Sequence, residues 1–157
     1  MTPINLNDQL KVIDWYNYLR IWEKLSDDMK YVGTVIGIEE GYLAKGARGR
    51  LPQRTDAQRS ILSIHLRFYT ALVLNALIHE VPLTDVSKYY GLSRGQLQSL
   101  QNSASTFSGM VTIFCKKLCW HNLHLLLEQF QSRLAFGIER ELCDLVRISL
   151  LNGIRAR

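Results

Sequence analysis

The chain has 157 residues, of which 47% are hydrophobic, so it can form one well-buried domain or two small ones. Its longest nearly apolar run, 68–78, is much shorter than the roughly 20 residues that a membrane helix needs, and the N-terminus lacks the basic and apolar regions of a signal peptide. Three cysteines argue against a disulfide scaffold and fit a reducing compartment, and the net charge of +5 permits phosphate-bearing partners.

Apolar residues recur at helical rather than alternating spacing in nearly every segment, so the predicted fold class is all-α. The first predicted helix is 5–25. After a restart at 26–28, a short helix contains Met29, Val32, Val35 and Ile36 and is closed by Gly37. The helices predicted further along the chain are 38–43, 56–79, 84–90, 94–118, 121–133 and 138–149. The helix over 56–79 is apolar around most of its circumference, which is typical of the buried centre of a bundle. We therefore expect a multi-helix bundle with one long central helix at about 94–118, preceded by a helix–turn–helix-like turn.

A loop rich in Gly, Pro and Arg is predicted at 46–54, within the most basic part of the chain. Residues 45–67 carry six basic groups and one acidic group, whereas residues 1–44 have a net charge of −3. A patch that contacts phosphate is one interpretation, and its candidate residues are Lys45, Arg48, Arg50 and Arg54. A solvated basic loop and helix start explains the same pattern, so both interpretations stay open.

The turn before the long helix carries the capping signals of a helix–turn–helix. Gly91 suits the left-handed residue that ends the first helix, and Ser93 with Gln96 matches a capping box. The second helix then continues an apolar stripe for three heptads, and at 1.5 Å per residue it is about 37 Å long. The stripe residues are Leu97, Leu100, Ala104, Phe107, Val111, Phe114 and Leu118. This length argues against a repressor-like recognition helix, which is usually much shorter.

The face opposite this stripe carries small or uncharged polar residues, where an ordinary solvent face would be richer in Glu and Lys. Its members are Gln98, Asn102, Ser105, Gly109 and Lys116, with Ser99 and Thr106 beside them and Arg94 at the helix start. One hypothesis is a rail for a nucleic-acid strand, contacted mainly at sugar and phosphate. The other is packing against an element of the same chain or of a partner. A third hypothesis is that Gln96, Gln98 and Asn102 recognise adenine edges in DNA, but the length of the apolar stripe argues against it.

The stretch CKKLCWHNLH, 115–124, has the ligand types of a zinc site but not its geometry. Cys115 and Cys119 are expected on one continuous helix beside the apolar stripe, as small core residues, and the two histidines of the stretch on the helix surface. His65 and His79 are expected to be structural. The chain lacks phosphate-loop, dinucleotide-binding and nucleophile-elbow motifs, so we predict no metal site, no catalytic residue and no cofactor in this chain.

The C-terminal sequence LVRISLLNGIRAR resembles the first helix and hairpin of a helix–hairpin–helix. In such hairpins a glycine lets backbone N–H groups approach a phosphate, which makes Gly153 and Arg155 candidate DNA contacts. An ordinary glycine helix stop is the alternative. The first interpretation divides the chain into a helical domain over 1–149 and the start of a helix–hairpin–helix domain over 150–157.

Four blocks of the sequence carry a resemblance to a known family. They are IDWYNYLRIWEKL (13–25), IGIEEGYLAKGARG (36–49), YYGLSRGQLQSLQNSA (89–104) and WHNLHLLLEQFQSRLAFGIERELCDLVRISLLN (120–152). These blocks closely resemble the helicase-like region of DNA polymerase theta, a superfamily-two DNA repair helicase. The resemblance implies a helical ratchet domain that follows two motor domains and a winged helix.

The resemblance also implies that the helix over 94–118 lines a channel and contacts single-stranded DNA without sequence preference. In archaeal helicases of the same branch an Arg and a Trp, seven residues apart, make these contacts, and Ser99 and Thr106 occupy the corresponding positions here. Because neither residue can stack on a base or bear charge, sugar–phosphate contact is the expectation. The implied partners are single-stranded DNA and the motor and winged-helix domains of the same parent chain, with no membrane, while homo-oligomerisation stays open.

The parent protein implied by the resemblance is nuclear and couples ATP hydrolysis to strand displacement or annealing in end-joining repair of double-strand breaks. Its ATP, Mg and polymerase sites are not expected within these residues. The predicted function is therefore a non-catalytic accessory domain that contacts single-stranded DNA. A protein-interaction or scaffold module is the alternative, followed by a helix–turn–helix DNA-binding regulator.

Overall fold

The computed structural model describes residues 13–51 and 54–137. Every regular element in these ranges is a helix, which confirms the all-α fold class. The helices are α1 (Trp15–Lys24), α2 (Asp27–Ile36), α3 (Glu40–Ala47), α4 (Asp56–Ile78), α5 (Leu83–Tyr90), α6 (Arg94–Lys117) and α7 (His121–Phe136). The predictions for the helix over 138–149, for Gly153 and Arg155, and for the domain boundary at 149/150 lie outside the described residues.

Local capping residues set most of the helix ends. α1 begins at Trp15 and does not include the two residues before it, because the Asp14 carboxylate caps it by accepting hydrogen bonds from two backbone N–H groups at 3.0 and 3.1 Å. The part of the predicted helix 5–25 that the structure describes therefore starts at Trp15, and residues 5–12 lie outside the described residues. Gly37 and Gly91, with φ of 102° and 66°, end α2 and α5 as predicted.

The described residues fall into two compact units, an N-terminal unit up to Leu72 and a C-terminal unit from Val73 onward. The boundary lies within α4, which is a continuous helix of 23 residues. Packing within residues 13–51 and 54–137 is thus organised in two parts, each with its own buried residues.

The core of the N-terminal unit is aromatic. Tyr18 is fully buried, its ring meets Tyr69 edge-on at 4.8 Å, and its hydroxyl donates a hydrogen bond to the His65 carbonyl at 3.0 Å. Burial, with a smaller contribution from Tyr69, raises the pKa of Tyr18 well above its ordinary value. Trp22 meets Phe68 in the same edge-on manner. Because every buried ring meets another ring or a polar partner, the unit is specifically packed.

His65 is a buried histidine whose contacts are all structural, as the sequence predicted. Its Nδ1 lies 2.9 Å from the Ile61 carbonyl, its Nε2 accepts the Glu39 N–H at 3.3 Å, and its ring stacks on Tyr42 at 4.2 Å. A carbonyl only accepts and an N–H only donates, so these two contacts select the neutral tautomer protonated at Nδ1. The ring thereby links α4 to the start of α3.

Alanine substitution at two glycines of α3 is expected to change the free energy of unfolding in opposite directions. A Cβ on Gly46 would lie 2.7 Å from the Trp15 ring, which is itself packed against Tyr18 and Tyr42, whereas a Cβ on Gly41 would meet nothing within 4 Å. We expect Gly46→Ala to lower the free energy of unfolding by about 1–3 kcal/mol through overpacking, and Gly41→Ala to raise it by about 0.5–1 kcal/mol. Urea denaturation of both variants measures this, and changes of the same sign would contradict it.

The C-terminal unit is built on an antiparallel helical hairpin. α6 and α7 are joined by the three residues 118–120, and the hydroxyls of Ser105 and Ser108 donate to the carbonyls of Gln131 and Leu127, both at 3.4 Å. From the first pair to the second, the residue number rises from 105 to 108 on α6 and falls from 131 to 127 on α7, so the two helices are antiparallel. Ile78, Ala104 and Leu134 form a buried cluster beside this contact.

The buried row of α6 departs from the predicted apolar stripe after Ala104. The row consists of Leu97, Leu100, Ala104, Ser108, Thr112 and Cys115, whereas Phe114 and Leu118 are 68% and 50% exposed. The stripe has a mean spacing of about 3.5 residues and so winds around a straight α-helix, which has about 3.6 residues per turn. The far half of the stripe therefore turns away from α7, and small residues take its place.

α4 is long and apolar enough to cross a membrane, judged by length and composition alone. The run over 68–78 noted in the sequence is only part of this helix. Of its most apolar stretch 44% is buried inside the structure, including Phe68, Tyr69 and Leu72. The core helix of a globular protein meets the same criterion, and the aromatic contacts of these residues are those of a core helix.

Candidate nucleic-acid interface

The candidate interface in the C-terminal unit begins at the turn between α5 and α6. The Ser93 hydroxyl accepts the Gln96 N–H at 3.3 Å, and the Gln96 side chain accepts the Ser93 N–H at 2.9 Å. This reciprocal pair is the predicted capping box. Leu92, between the glycine and the cap, is buried. The capping box and this buried residue together fix the start of α6.

Tyr90, the last residue of α5, is also buried. This burial, with a smaller contribution from Tyr89, raises the pKa of Tyr90 to about 12.

The first half of α6 presents an exposed polar face. Its exposed members are Arg94, Gln98, Ser99, Asn102 and Thr106. Ser99 and Thr106 are seven residues, or about two turns, apart, and both lie directly opposite the buried row. The Thr106 hydroxyl donates to the Asn102 carbonyl at 2.9 Å, which leaves its oxygen able to accept. The positions singled out by the resemblance are therefore at the centre of the solvent-facing side.

Two predicted members of this face, Ser105 and Gly109, lie at its edge against α7. The Ser105 hydroxyl reaches the Gln131 carbonyl, and a Cβ on Gly109 would lie 2.7 Å from the Gln131 amide nitrogen. Both residues are partly buried. The two hypotheses for the small polar face thus apply to different parts of it, because its edge packs within the chain and its centre is open. Contact of Ser105 with DNA stays a prediction.

The second candidate surface lies in the N-terminal unit and comprises the last turn of α3, which carries Lys45, and the basic loop after it. Lys45, Arg48, Arg50 and Arg54 are all exposed, and within residues 13–51 and 54–137 none of them forms an ion pair. Gly49, at φ 68°, lets the chain turn so that the Arg50 N–H reaches the Lys45 carbonyl at 3.0 Å. The loop therefore holds its positive charges in solvent, where the phosphate contact predicted from the sequence remains a prediction.

Lys116 is exposed at the far end of α6, and it belongs to a long stretch without negative charge. Residues 86–127 carry four basic side chains and no acidic one. The four are Lys88, Arg94, Lys116 and Lys117. Since phosphates are repelled by carboxylates and attracted by cations, no side chain of α6 itself opposes contact with a phosphate.

The two cysteines of residues 115–124, the stretch for which no zinc site is predicted, differ in burial. Cys115 is 2% exposed and belongs to the core, as predicted, but Cys119 is exposed. The expectation for Cys119 is wrong because α6 ends at Lys117, and Cys119 lies in the turn beyond it with φ 58°. No group of three or more His, Cys, Asp or Glu in the described part of the chain could hold a metal ion.

Fold and surface together define an all-helical domain whose longest helix, α6, carries a solvent-exposed polar face free of carboxylates. Comparison with known proteins identifies the family within this class. The family model described as "DNA_pol_Q helicase like region helical domain" matches residues 1–134. The chain belongs to this family, which confirms the resemblance seen in the sequence.

Individual relatives agree with the family assignment. The chain is 54% identical over 145 residues to DNA polymerase theta of Mus musculus and 46% identical over 157 residues to that of Drosophila melanogaster. It is 28% identical over 151 residues to the Helicase POLQ-like protein of Homo sapiens. These matches cover 92%, 100% and 94% of this chain but 6%, 7% and 13% of the relatives. The chain therefore spans a small part of the length of each relative.

Proposed function

We propose that the chain is a non-catalytic accessory domain that contacts single-stranded DNA. We further propose that the parent protein is a nuclear, ATP-dependent DNA helicase–polymerase in end-joining repair of double-strand breaks. The observation that carries the DNA contact is the exposed face of α6, where Ser99 and Thr106 lie opposite the buried row and no carboxylate is near in sequence. Membership of the helical-domain family supports the parent.

The chemistry of this face suits a weak and sequence-independent contact. The Ser99 hydroxyl and the amides of Gln98 and Asn102 can donate hydrogen bonds to phosphate and sugar oxygens, which every nucleotide presents alike. The Thr106 hydroxyl already donates to the Asn102 carbonyl, so it contributes an acceptor oxygen for donors such as sugar hydroxyls and bound water. Arg94 supplies charge at one end and Lys116 at the other. The polar face has no aromatic residue between these two positions, so bases do not stack on it. A strand bound only through its sugars and phosphates can slide along the helix.

ATP and Mg, which the parent would use, do not fit the residues present. No phosphate-loop motif occurs in the sequence, and no carboxylate-containing cluster in the described ranges could hold a metal ion. We therefore propose that nucleotide hydrolysis belongs to the remainder of the parent.

The proposed contact predicts that the chain binds a labelled single-stranded oligonucleotide with an affinity that falls steeply as salt rises. The logarithm of the affinity should fall by about 0.7 for each phosphate contact per tenfold rise in salt. Fluorescence anisotropy at a series of salt concentrations measures this slope, and oligonucleotides of unrelated sequence should give the same value. Salt-insensitive affinity, or binding confined to one sequence, would contradict the proposal.

Docking of other domains of the same parent chain is a second candidate function, favoured by a different observation. Large apolar residues on the second half of α6 and on α7 are exposed. They include Met110, Ile113, Leu125, Leu126 and Phe136, at 54%, 58%, 57%, 64% and 50% exposure. An apolar surface of this kind is typical of an interface. Motor and winged-helix domains are the partners that we propose for it.

A further inference from the structure

The turn that joins α6 to α7 exposes aromatic and cationic side chains together. Trp120 is 55% exposed and Phe114 is 68% exposed. Lys116, Lys117 and His121 are exposed beside them in the sequence. An open cavity of about 510 Å³ is lined by Cys119, Trp120, His121, Asn122 and Leu123. We call residues 116–123 the hairpin tip.

Backbone hydrogen bonds close the turn at the hairpin tip. The Trp120 N–H donates to the Cys115 carbonyl at 2.9 Å, and the Cys119 N–H donates to the Lys116 carbonyl at 3.2 Å. Cys119 adopts a positive φ of 58°, which a residue with a side chain rarely does. Trp120 also occupies the N-cap of α7, where its side chain makes no capping hydrogen bond. Trp120 therefore does not cap α7 through its side chain, and its indole ring is exposed at the hairpin tip.

The charge of the hairpin tip favours a nucleic acid over a protein as its occupant. No acidic residue occurs between 86 and 127, while two lysines directly precede the turn. The centre of a protein–protein interface is depleted in lysine. An exposed indole flanked by cations is instead the arrangement that stacks on a base and neutralises its phosphates.

We propose that Trp120 stacks on an unpaired base of a nucleic-acid strand whose phosphates contact Lys116 and Lys117. This subsite is separate from the polar face, because Ser99 lies about five turns before the end of α6. It supplies the base stacking that Ser99 and Thr106 cannot provide. The inference rests on the proposed function, since it extends the same strand to the end of the helix.

Binding of two oligonucleotides to the 157-residue chain tests this subsite. One is an ordinary single strand, and the other has the same phosphates but consecutive abasic positions. Trp120→Ala should weaken binding of the ordinary strand about fivefold or more, while Trp120→Phe should retain most of it. Both variants should bind the abasic strand like the unmodified chain. Lys116→Gln combined with Lys117→Gln should reduce the salt slope by about 0.7 for each lysine that neutralises a phosphate.

The outcomes separate failure of the subsite from failure of the proposed function. If the unmodified chain binds the ordinary strand with salt sensitivity and Trp120→Ala binds it equally well, the subsite is overturned and the proposed function stands. That result is also expected if the tip docks a protein. If the unmodified chain binds neither strand at any salt concentration, both are overturned. Circular dichroism of Trp120→Ala should match that of the unmodified chain, since the side chain is more than half exposed.

Discussion

Replacement of Gln98 by Glu and Asn102 by Asp is expected to weaken binding of single-stranded DNA about tenfold or more at low salt. Both side chains are exposed on the polar face of α6, and both substitutions keep the shape of the side chain while adding a negative charge. A carboxylate near a phosphate costs about 1 kcal/mol or more at a separation of 4 Å, and two such costs exceed a factor of ten. Anisotropy titrations at low and high salt measure the effect, which screening should reduce at high salt.

The matched control places the same charge at the same spacing on another helix. Tyr31 and Val35 of α2 are 72% and 69% exposed and are also four residues apart, so Tyr31→Glu with Val35→Glu changes the net charge equally. This control should lose little affinity. An equal loss in both pairs would show that net charge, and not the α6 face, governs binding. No loss in either would favour docking of a protein on α6.

Replacement of His65 by Ala is expected to lower the free energy of unfolding by about 3 kcal/mol or more. The side chain is fully buried, so its removal leaves a cavity beside the Tyr42 ring. It also leaves the Glu39 N–H without its acceptor, which costs a further ~1–3 kcal/mol. Urea denaturation followed by circular dichroism measures the decrease.

His79 provides the control for this substitution on the same helix. Its Nδ1 lies 2.8 Å from the Asn75 carbonyl, which reproduces the contact of His65 with the residue four positions earlier, but His79 is exposed. His79→Ala should therefore change the free energy of unfolding by about 0.5 kcal/mol or less. Equal decreases at the two positions would mean that this local contact, and not burial, is what His65 contributes.

Features decided by neighbouring residues were predictable from the sequence. The capping box at Ser93 and Gln96 and the helix stops at Gly37 and Gly91 depend on residues within one turn, and the structure has all of them. Asp14 is a local signal that the periodicity did not detect, because the apolar period continues through it although its side chain caps α1 at Trp15. Periodicity alone does not detect a cap within a helical pattern.

Features decided by a second helix were not predictable in the same way. The sequence ranks Phe114 and Leu118 above Ser108 and Thr112 as core residues, yet the small residues are buried. Their hydroxyls have backbone acceptors at 3.4 and 2.8 Å, which removes much of the cost of burial. Only the position of α7 determines this choice. The exposure of Trp120 was not predictable from periodicity for the same reason, although Lys116 and Lys117 just before it indicate that α6 ends in solvent.

The straightness of the buried row on α6 limits how much DNA the polar face can cover. Because the row keeps the period of a straight helix, the opposite surface runs parallel to the axis and does not wind. At about 100° per residue, Ser99, Asn102 and Thr106 lie along this line, whereas Arg94 lies nearer the buried row. Met110 and Ile113, which follow Thr106, are apolar and exposed. The seven residues from Ser99 to Thr106 extend about 10 Å, which corresponds to about three nucleotides at the 3.4 Å spacing of a stacked strand. A measured site size much larger than three nucleotides would require surfaces beyond this line.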